Sequence, residues 1–230
     1  MRLVLFDIDG TLLNSGGVGR ASMQVALTEI FGSPGNPTYR YDGKTDKQIV
    51  RDTMRREGHS DEHIDSQMTV LIDRYLGGLK ERIESRKFDV RPLPGVLEIL
   101  DALESRDDIV LGLLTGNVEA GARAKLSAAG IDPDRFRVNA FGSDHEHRPQ
   151  LPAIAQRRFG ETLGHAVAGE KVIVIGDTPA DIECGRELGA RAIGVASGHY
   201  SVADLEKHSP YAVFPSLADT GKVLATILDV

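Results

Sequence analysis

The chain has no tryptophan and one cysteine, and its aromatic residues make up only 5% of 230 positions. The single Cys184 excludes an intramolecular disulfide and fits a reducing compartment, so a cytoplasmic protein is expected. No apolar run approaches the roughly 18 residues that a membrane-spanning helix needs. The opening residues do not read as a secretory signal either, because the apolar stretch Leu3–Phe6 runs directly into Asp7. Basic residues are not in excess: 27 Lys and Arg stand against 34 Asp and Glu, a formal net charge of −7. That balance excludes nucleic acid and anionic membrane surfaces as expected partners, since both reward broad positive charge. Repeats and low-complexity tracts are absent as well. What is present is ordinary for a globular protein, 41% apolar and 27% charged, with room for one domain or a core carrying an insertion.

Three short runs, at 3–6, 109–114 and 172–175, are unbroken and rich in Val, Ile and Leu. Such runs suit strands buried on both faces of a parallel sheet. Weaker strand candidates lie at 138–141, 192–195 and 212–214, and helical patterns fall near 95–106, 118–129, 150–159, 178–189, 201–208 and 216–228. The alternation predicts right-handed βαβ units and an α/β fold, a doubly wound, mostly parallel sheet covered by helices. Between residues 15 and 88 the pattern changes to helices only, at about 19–32, 46–57 and 61–85. Ser60 or Asp61 is placed to cap the third of these and Gly58 to close the second. The expected organisation is an α/β core formed by 1–14 and 89–230, with an all-helical cap at 15–88 able to pivot as a lid. The glycines Gly16, Gly17 and Gly19 suit its hinge better than a phosphate loop.

Polar residues gather where the strands end. The first run is followed by Asp7 and Asp9, the second by Thr115-Gly116-Asn117, and the third by Gly176-Asp177 with Asp181 four residues on. Ligands of open α/β sheets bind outside the carboxyl ends of the strands. Clustered carboxylates repel a phosphate dianion unless a hard cation lies between them, and magnesium meets that need with oxygen ligands. A carboxylate then serves as nucleophile, and a second one protonates the leaving oxygen and later deprotonates water. On a continuing strand Asp7 and Asp9 would share a face, with Gly10 allowing the chain to turn beyond them.

The strings DIDGTL at 7–12, LLTGN at 113–117 and GDTPAD at 176–181 closely resemble the haloacid dehalogenase-like hydrolase superfamily, particularly its phosphoglycolate-phosphatase-like members with a helical cap. The resemblance implies Asp7 as nucleophile and magnesium ligand. It implies Asp9 as general acid/base, binding the metal through its carbonyl, and Asp177 as the remaining protein ligand. Thr115 would hydrogen-bond the phosphoryl group, with backbone N–H groups of Gly116 and Asn117 assisting. Asp181 would hold a metal-bound water or orient the active-site cation, although a first-turn helix acid is its plainer reading. Asn117 is also expected to cap the helix that follows it.

The superfamily's usual Lys between the second and last motifs has no counterpart, since no Lys occurs from Ser127 through Glu170 and Lys171 opens a strand. Arg148, followed by Pro149, is the expected substitute, ahead of Arg157 and Arg158, and would bridge phosphoryl oxygens and Asp7 with its forked donors. In the cap, Lys44, Thr45, Asp46 and Arg20 either face the substrate or are ordinary helix residues, while Arg51, Arg55 and Arg56 read as an exposed face. The His59/His63 and His145/His147 pairs lack Cys partners at zinc spacing and read as surface histidines, and Cys184 as a small buried side chain. The expected activity is hydrolysis of a small phosphorylated metabolite. A phosphosugar mutase, a dehalogenase and a catalytically idle module remain as alternatives.

Overall fold

The computed structural model describes residues 1–229. Strand β1 (Arg2–Phe6) leads through a two-residue strand, β2 (Leu13–Asn14), into three helices, α1 (Val18–Phe31), α2 (Asp46–Arg56) and α3 (Asp61–Glu84). A second short strand, β3 (Arg91–Pro92), returns antiparallel to β2. Helix and strand then alternate through α4 (Val96–Glu104), β4 (Ile109–Thr115), α5 (Glu119–Ala128), β5 (Val138–Phe141), α6 (Leu151–Leu163) and β6 (Val172–Gly176). The chain continues through α7 (Pro179–Cys184), β7 (Arg191–Val195), α8 (Val202–Glu206), β8 (Ala212–Phe214) and α9 (Thr220–Leu228).

Six of these strands form one parallel sheet in the order β5-β4-β1-β6-β7-β8. β1 is central, with Phe6 paired to Leu113 on one side and Ile175 on the other, so the carboxyl ends of β4, β1 and β6 lie side by side. Alternate residues of β1 enter different cores. Val4 and Phe6 join side chains of α4, α5 and α9, while Leu3 and Leu5 join those of α6 and Cys184 of α7. All four are fully buried, each contributing roughly 1.5–3 kcal/mol. Burial on both faces explains why the sequence runs are unbroken rather than alternating. Helices α1–α3 share a separate apolar cluster, built on Leu27, Met54, Ile64 and Leu71 and joined by Val118 at the entrance to α5.

Several boundaries differ from expectation for local reasons. The helix expected at 178–189 stops at Cys184, and a 3-10 turn at Arg186–Leu188 follows Gly185. The one expected at 216–228 starts at Thr220, where the Asp219 carboxylate accepts from the Lys222 N–H. The β2–β3 pair was not anticipated, since two-residue strands carry no periodicity. Ser60 does cap α3, accepting from the His63 N–H.

Candidate active site

Asp7 extends the sheet by one residue, its N–H donating to the Ile175 carbonyl at 2.9 Å. The chain then turns instead of continuing as a strand, and the Ile8 carbonyl collects the N–H groups of Thr11, Leu12 and Leu13. The expected strand-face relation of Asp7 and Asp9 therefore gives way to a turn. Gly10 has φ +88°, and a Cβ there would collide with the Asp177 carboxylate, so only glycine lets this turn meet the end of β6.

At the end of β4, Thr115 is fully buried and its hydroxyl accepts from the Asn117 N–H at 3.3 Å and Asn117 Nδ2 at 2.9 Å. Its own proton is left for another acceptor. The Asn117 side chain does not cap α5 as expected. Its Nδ2 donates to Asp9 Oδ2 at 2.8 Å and its Oδ1 accepts from Lys125 Nζ at 2.7 Å. The entrance to α5 is satisfied from α2 instead, the Val118 N–H donating to Asp46 Oδ2 at 2.8 Å.

At the end of β6, Asp181 forms a capping box with Thr178, its Oδ2 accepting from the Thr178 N–H at 2.9 Å and hydroxyl at 2.6 Å. Its Oδ1 accepts from Arg148. The same guanidinium nitrogen reaches Asp7 Oδ1 at 2.8 Å and the Leu114 carbonyl at 3.1 Å. Arg148 opens the 3-10 turn before α6 and is 4% exposed; Arg158 pairs with Asp144 elsewhere. Thr11 donates to Asp177 Oδ1 at 3.3 Å.

Three carboxylates, Asp7, Asp177 and Asp181, present oxygens within 4.8 Å of one another, the one such group of acids and histidines among the described residues. Burial pushes Asp7 up to about 7 and Asp177 well above the usual carboxylate range; Asp181 adds repulsion to both, and Arg148 only partly offsets it. One buried cation is too little for three buried acids. The donor set is all oxygen, which fits magnesium. Asp9 behaves differently: burial would raise it, but Lys125 Nζ at 2.7 Å, together with hydrogen bonds from Asn117 and Ser15, outweighs burial and holds its carboxyl below the usual range.

Lys125 was missed by sequence reasoning. It lies on α5 within a buried stripe containing Ala122 and Leu126 and is 4% exposed. A lysine on an apolar helix face was the available signal, because such a charge is rarely buried without a partner.

A cavity of about 810 Å³ opens above Asp7, walled on one side by strand ends and on the other by α1–α3 and the loop before α2. Arg20 and Lys44 line it, Arg20 lying 4.0 Å over the Tyr41 ring and Lys44 pairing with Asp52 at 3.2 Å. Asp46, Tyr41 and Tyr75 line it too, with Ser197, Gly198 and His199 from the loop after β7. Thr45 does not. It is fully buried, caps α2 and donates to the Glu146 carbonyl at 2.6 Å, so its substrate-facing expectation is corrected. Arg51 is corrected as well, from exposed face to a bridge between the carboxylates of Glu146 and Asp65. His59 and His63 stack at 5.4 Å and pack on Phe31. Burial pushes the Cys184 thiol up to about 12, too high for a nucleophile.

The chain is 24% identical to a phosphoglycolate phosphatase of Aquifex aeolicus over 196 residues, covering 83% of each chain. Its fold is similar to that of a hydrolase from Pseudomonas syringae, with a TM-score of 0.74, 22% identity and 99% of both chains covered. A beta-phosphoglucomutase from Clostridium difficile is similar in fold too, with a TM-score of 0.73, 16% identity, and 100% of this chain and 98% of that one covered. The family model for haloacid dehalogenase-like hydrolases matches residues 4–195, and with the strand-end acids in place the chain belongs to that family.

Proposed function

We propose that the protein is a magnesium-dependent phosphatase that hydrolyses a small phosphorylated metabolite through a phosphorylated Asp7. The observation that carries this reading is the position of Asp7, beneath the cavity, in contact with Arg148 and within the oxygen cluster of Asp177 and Asp181. Phosphoglycolate is one candidate substrate, from the relative's name.

An Asp7 oxygen attacks phosphorus while the bond to the leaving oxygen breaks, and Asp9 gives that oxygen its proton. Lys125 keeps Asp9 charged at rest, but an arriving phosphate dianion is a like charge and draws a proton onto it. Having given the proton up, Asp9 accepts one from the water that attacks phosphorus and frees Asp7. The Thr115 hydroxyl donates to a phosphoryl oxygen, and Gly116 offers its backbone N–H. Arg148 orients Asp7 through the bond from its Nη2. Magnesium held by Asp7, Asp177 and the Asp9 carbonyl would neutralise the acids and the phosphoryl charge. Asp181 acts through Arg148. Residues 15–88 form the cap that excludes water while Lys44 and Arg20 face the leaving group, and the buried Cys184 suits a cytoplasmic setting.

The test is phosphate release from p-nitrophenyl phosphate and a panel of metabolite esters. Release should require magnesium and fall at least a thousandfold in Asp7→Asn. Release that survives in Asp7→Asn would remove Asp7 as nucleophile. Accumulation of an isomerised sugar phosphate without free phosphate would identify a mutase instead.

A further inference from the structure

The wall of the cavity facing away from the oxygen cluster carries polar groups that the phosphoryl chemistry does not use. Tyr75 projects from α3 within the apolar cluster of the three helices, is 1% exposed and lines the cavity. Its hydroxyl has no hydrogen-bond partner among the described residues, and the carboxylates of Asp46 and Asp9 lie close enough to act on it. Packing alone would be satisfied by phenylalanine, whereas a phenol on the cavity wall presents its O–H to whatever enters the cavity. Tyr41 lines the same wall, also without a partner for its hydroxyl among the described residues.

Asp46 opens α2 and is 8% exposed. Its Oδ2 accepts from the Val118 N–H, while its Oδ1 has no partner among the described residues. The cations nearby are engaged. Lys125 lies between Asp9 and Asn117, and Arg20 donates to the Tyr39 carbonyl at 2.6 Å and lies over Tyr41. Room for a ligand comes partly from α1, where a Cβ on Gly19 would stand 3.0 Å from Lys125 Nζ and 3.8 Å from the Tyr75 hydroxyl.

We propose that Tyr75, Tyr41 and Asp46 form a leaving-group subsite for hydroxyl groups, so that the preferred substrate is a polyol or sugar phosphate. A hydroxyl both donates and accepts, so one such group satisfies the free Asp46 oxygen and a tyrosine O–H together. A leaving group whose only other polar function is a carboxylate accepts from the tyrosines but meets Asp46 as a like charge, and the remaining cations of the wall are already paired, Lys44 with Asp52 at 3.2 Å and Arg40 with Asp42 at 2.9 Å. The inference rests on the phosphatase reading and narrows its substrate class.

The test compares kcat/KM for glycerol 3-phosphate, phosphoglycolate and p-nitrophenyl phosphate in the wild type, Tyr75→Phe and Asp46→Asn. The wild type should favour glycerol 3-phosphate over phosphoglycolate by at least about tenfold. Tyr75→Phe should lower the ratio of glycerol 3-phosphate to p-nitrophenyl phosphate about tenfold, the scale on which a site built for a hydroxyl loses selectivity. Asp46→Asn keeps an acceptor for Val118 and should shift preference toward phosphoglycolate. Turnover of p-nitrophenyl phosphate with phosphoglycolate preferred, or equal losses on both esters in Tyr75→Phe, overturns the inference alone. A wild type inert on every ester, p-nitrophenyl phosphate included, overturns the phosphatase reading and the inference with it.

Discussion

At the scale of single residues, the least expected member of the site is Lys125, which couples Asp9 to Asn117 from the middle of a helix. The Asp9 side chain is 35% exposed, so the pair is only partly desolvated and its loss costs less than the 3–5 kcal/mol typical of breaking a buried pair. Its larger effect is on orientation. In Lys125→Met, Asp9 keeps one amide contact and loses the cation that offsets its burial, so its carboxyl titrates higher and its position loosens. Steady-state kinetics should show kcat reduced about 10- to 100-fold, within the range that acid/base catalysis contributes. A variant within twofold of the wild type would mean that Asp9 does not depend on this contact. Asp7, Asp9, Thr115 and Asp177 were legible in the sequence because each follows a recognisable apolar run, and strand ends converge in this kind of sheet. Lys125 was not, because its reach into the site depends on how α5 packs, and on Asn117 turning away from the helix end toward Asp9, Thr115 and Lys125 itself.

At the scale of elements, the informative junction is where the loop before α2 meets the loops after β4 and β5. The Asp46 N–H donates to the Gly116 carbonyl at 2.8 Å, Thr45 reaches the Glu146 carbonyl, and Arg51 pairs with the Glu146 side chain. Gly116 is enclosed: a Cβ there would collide with the backbone carbonyl of Lys44 and stand 3.0 Å from the Thr45 Cα. Gly116→Ala should therefore push α2 off the sheet, costing about 1–3 kcal/mol of stability as an overpacked contact does. Because Lys44 and Asp46 line the cavity, it should also lower kcat/KM at least tenfold. Unchanged melting and kinetics would show that the helical segment does not rest on this loop. The sequence made the number and order of the main elements readable through their periodicity. It left unreadable which loop lies against which, because Thr45 and Asp46 look alike as helix-start residues until one is seen facing the core and the other the cavity.

At the scale of the whole molecule, the fold carries an electrostatic cost at the centre of its sheet. Asp7 titrates at about 7 against an ordinary value of 3.8, and Asp177 lies well above that value, both chiefly through burial. A carboxyl that binds its proton more tightly folded than unfolded stabilises the fold while protonated. That contribution is present in full below pH 3.8 and is lost as pH rises toward about 7. The metal-free protein should accordingly melt at lower temperature at pH 8 than at pH 5. A divalent cation beside Asp7 and Asp177 favours their charged forms, so magnesium competes with protons and binds better at the higher pH. At a hundred times its dissociation constant it should add about 2.7 kcal/mol, which for a chain of this size is a rise of about 5–10 °C in Tm. Calorimetry at pH 5 and pH 8 with and without magnesium checks both signs, and Asp177→Asn should abolish most of the rise at pH 8. A Tm that ignores magnesium at pH 8 would mean that the buried acids are balanced in another way, and that the oxygen cluster is not a metal site.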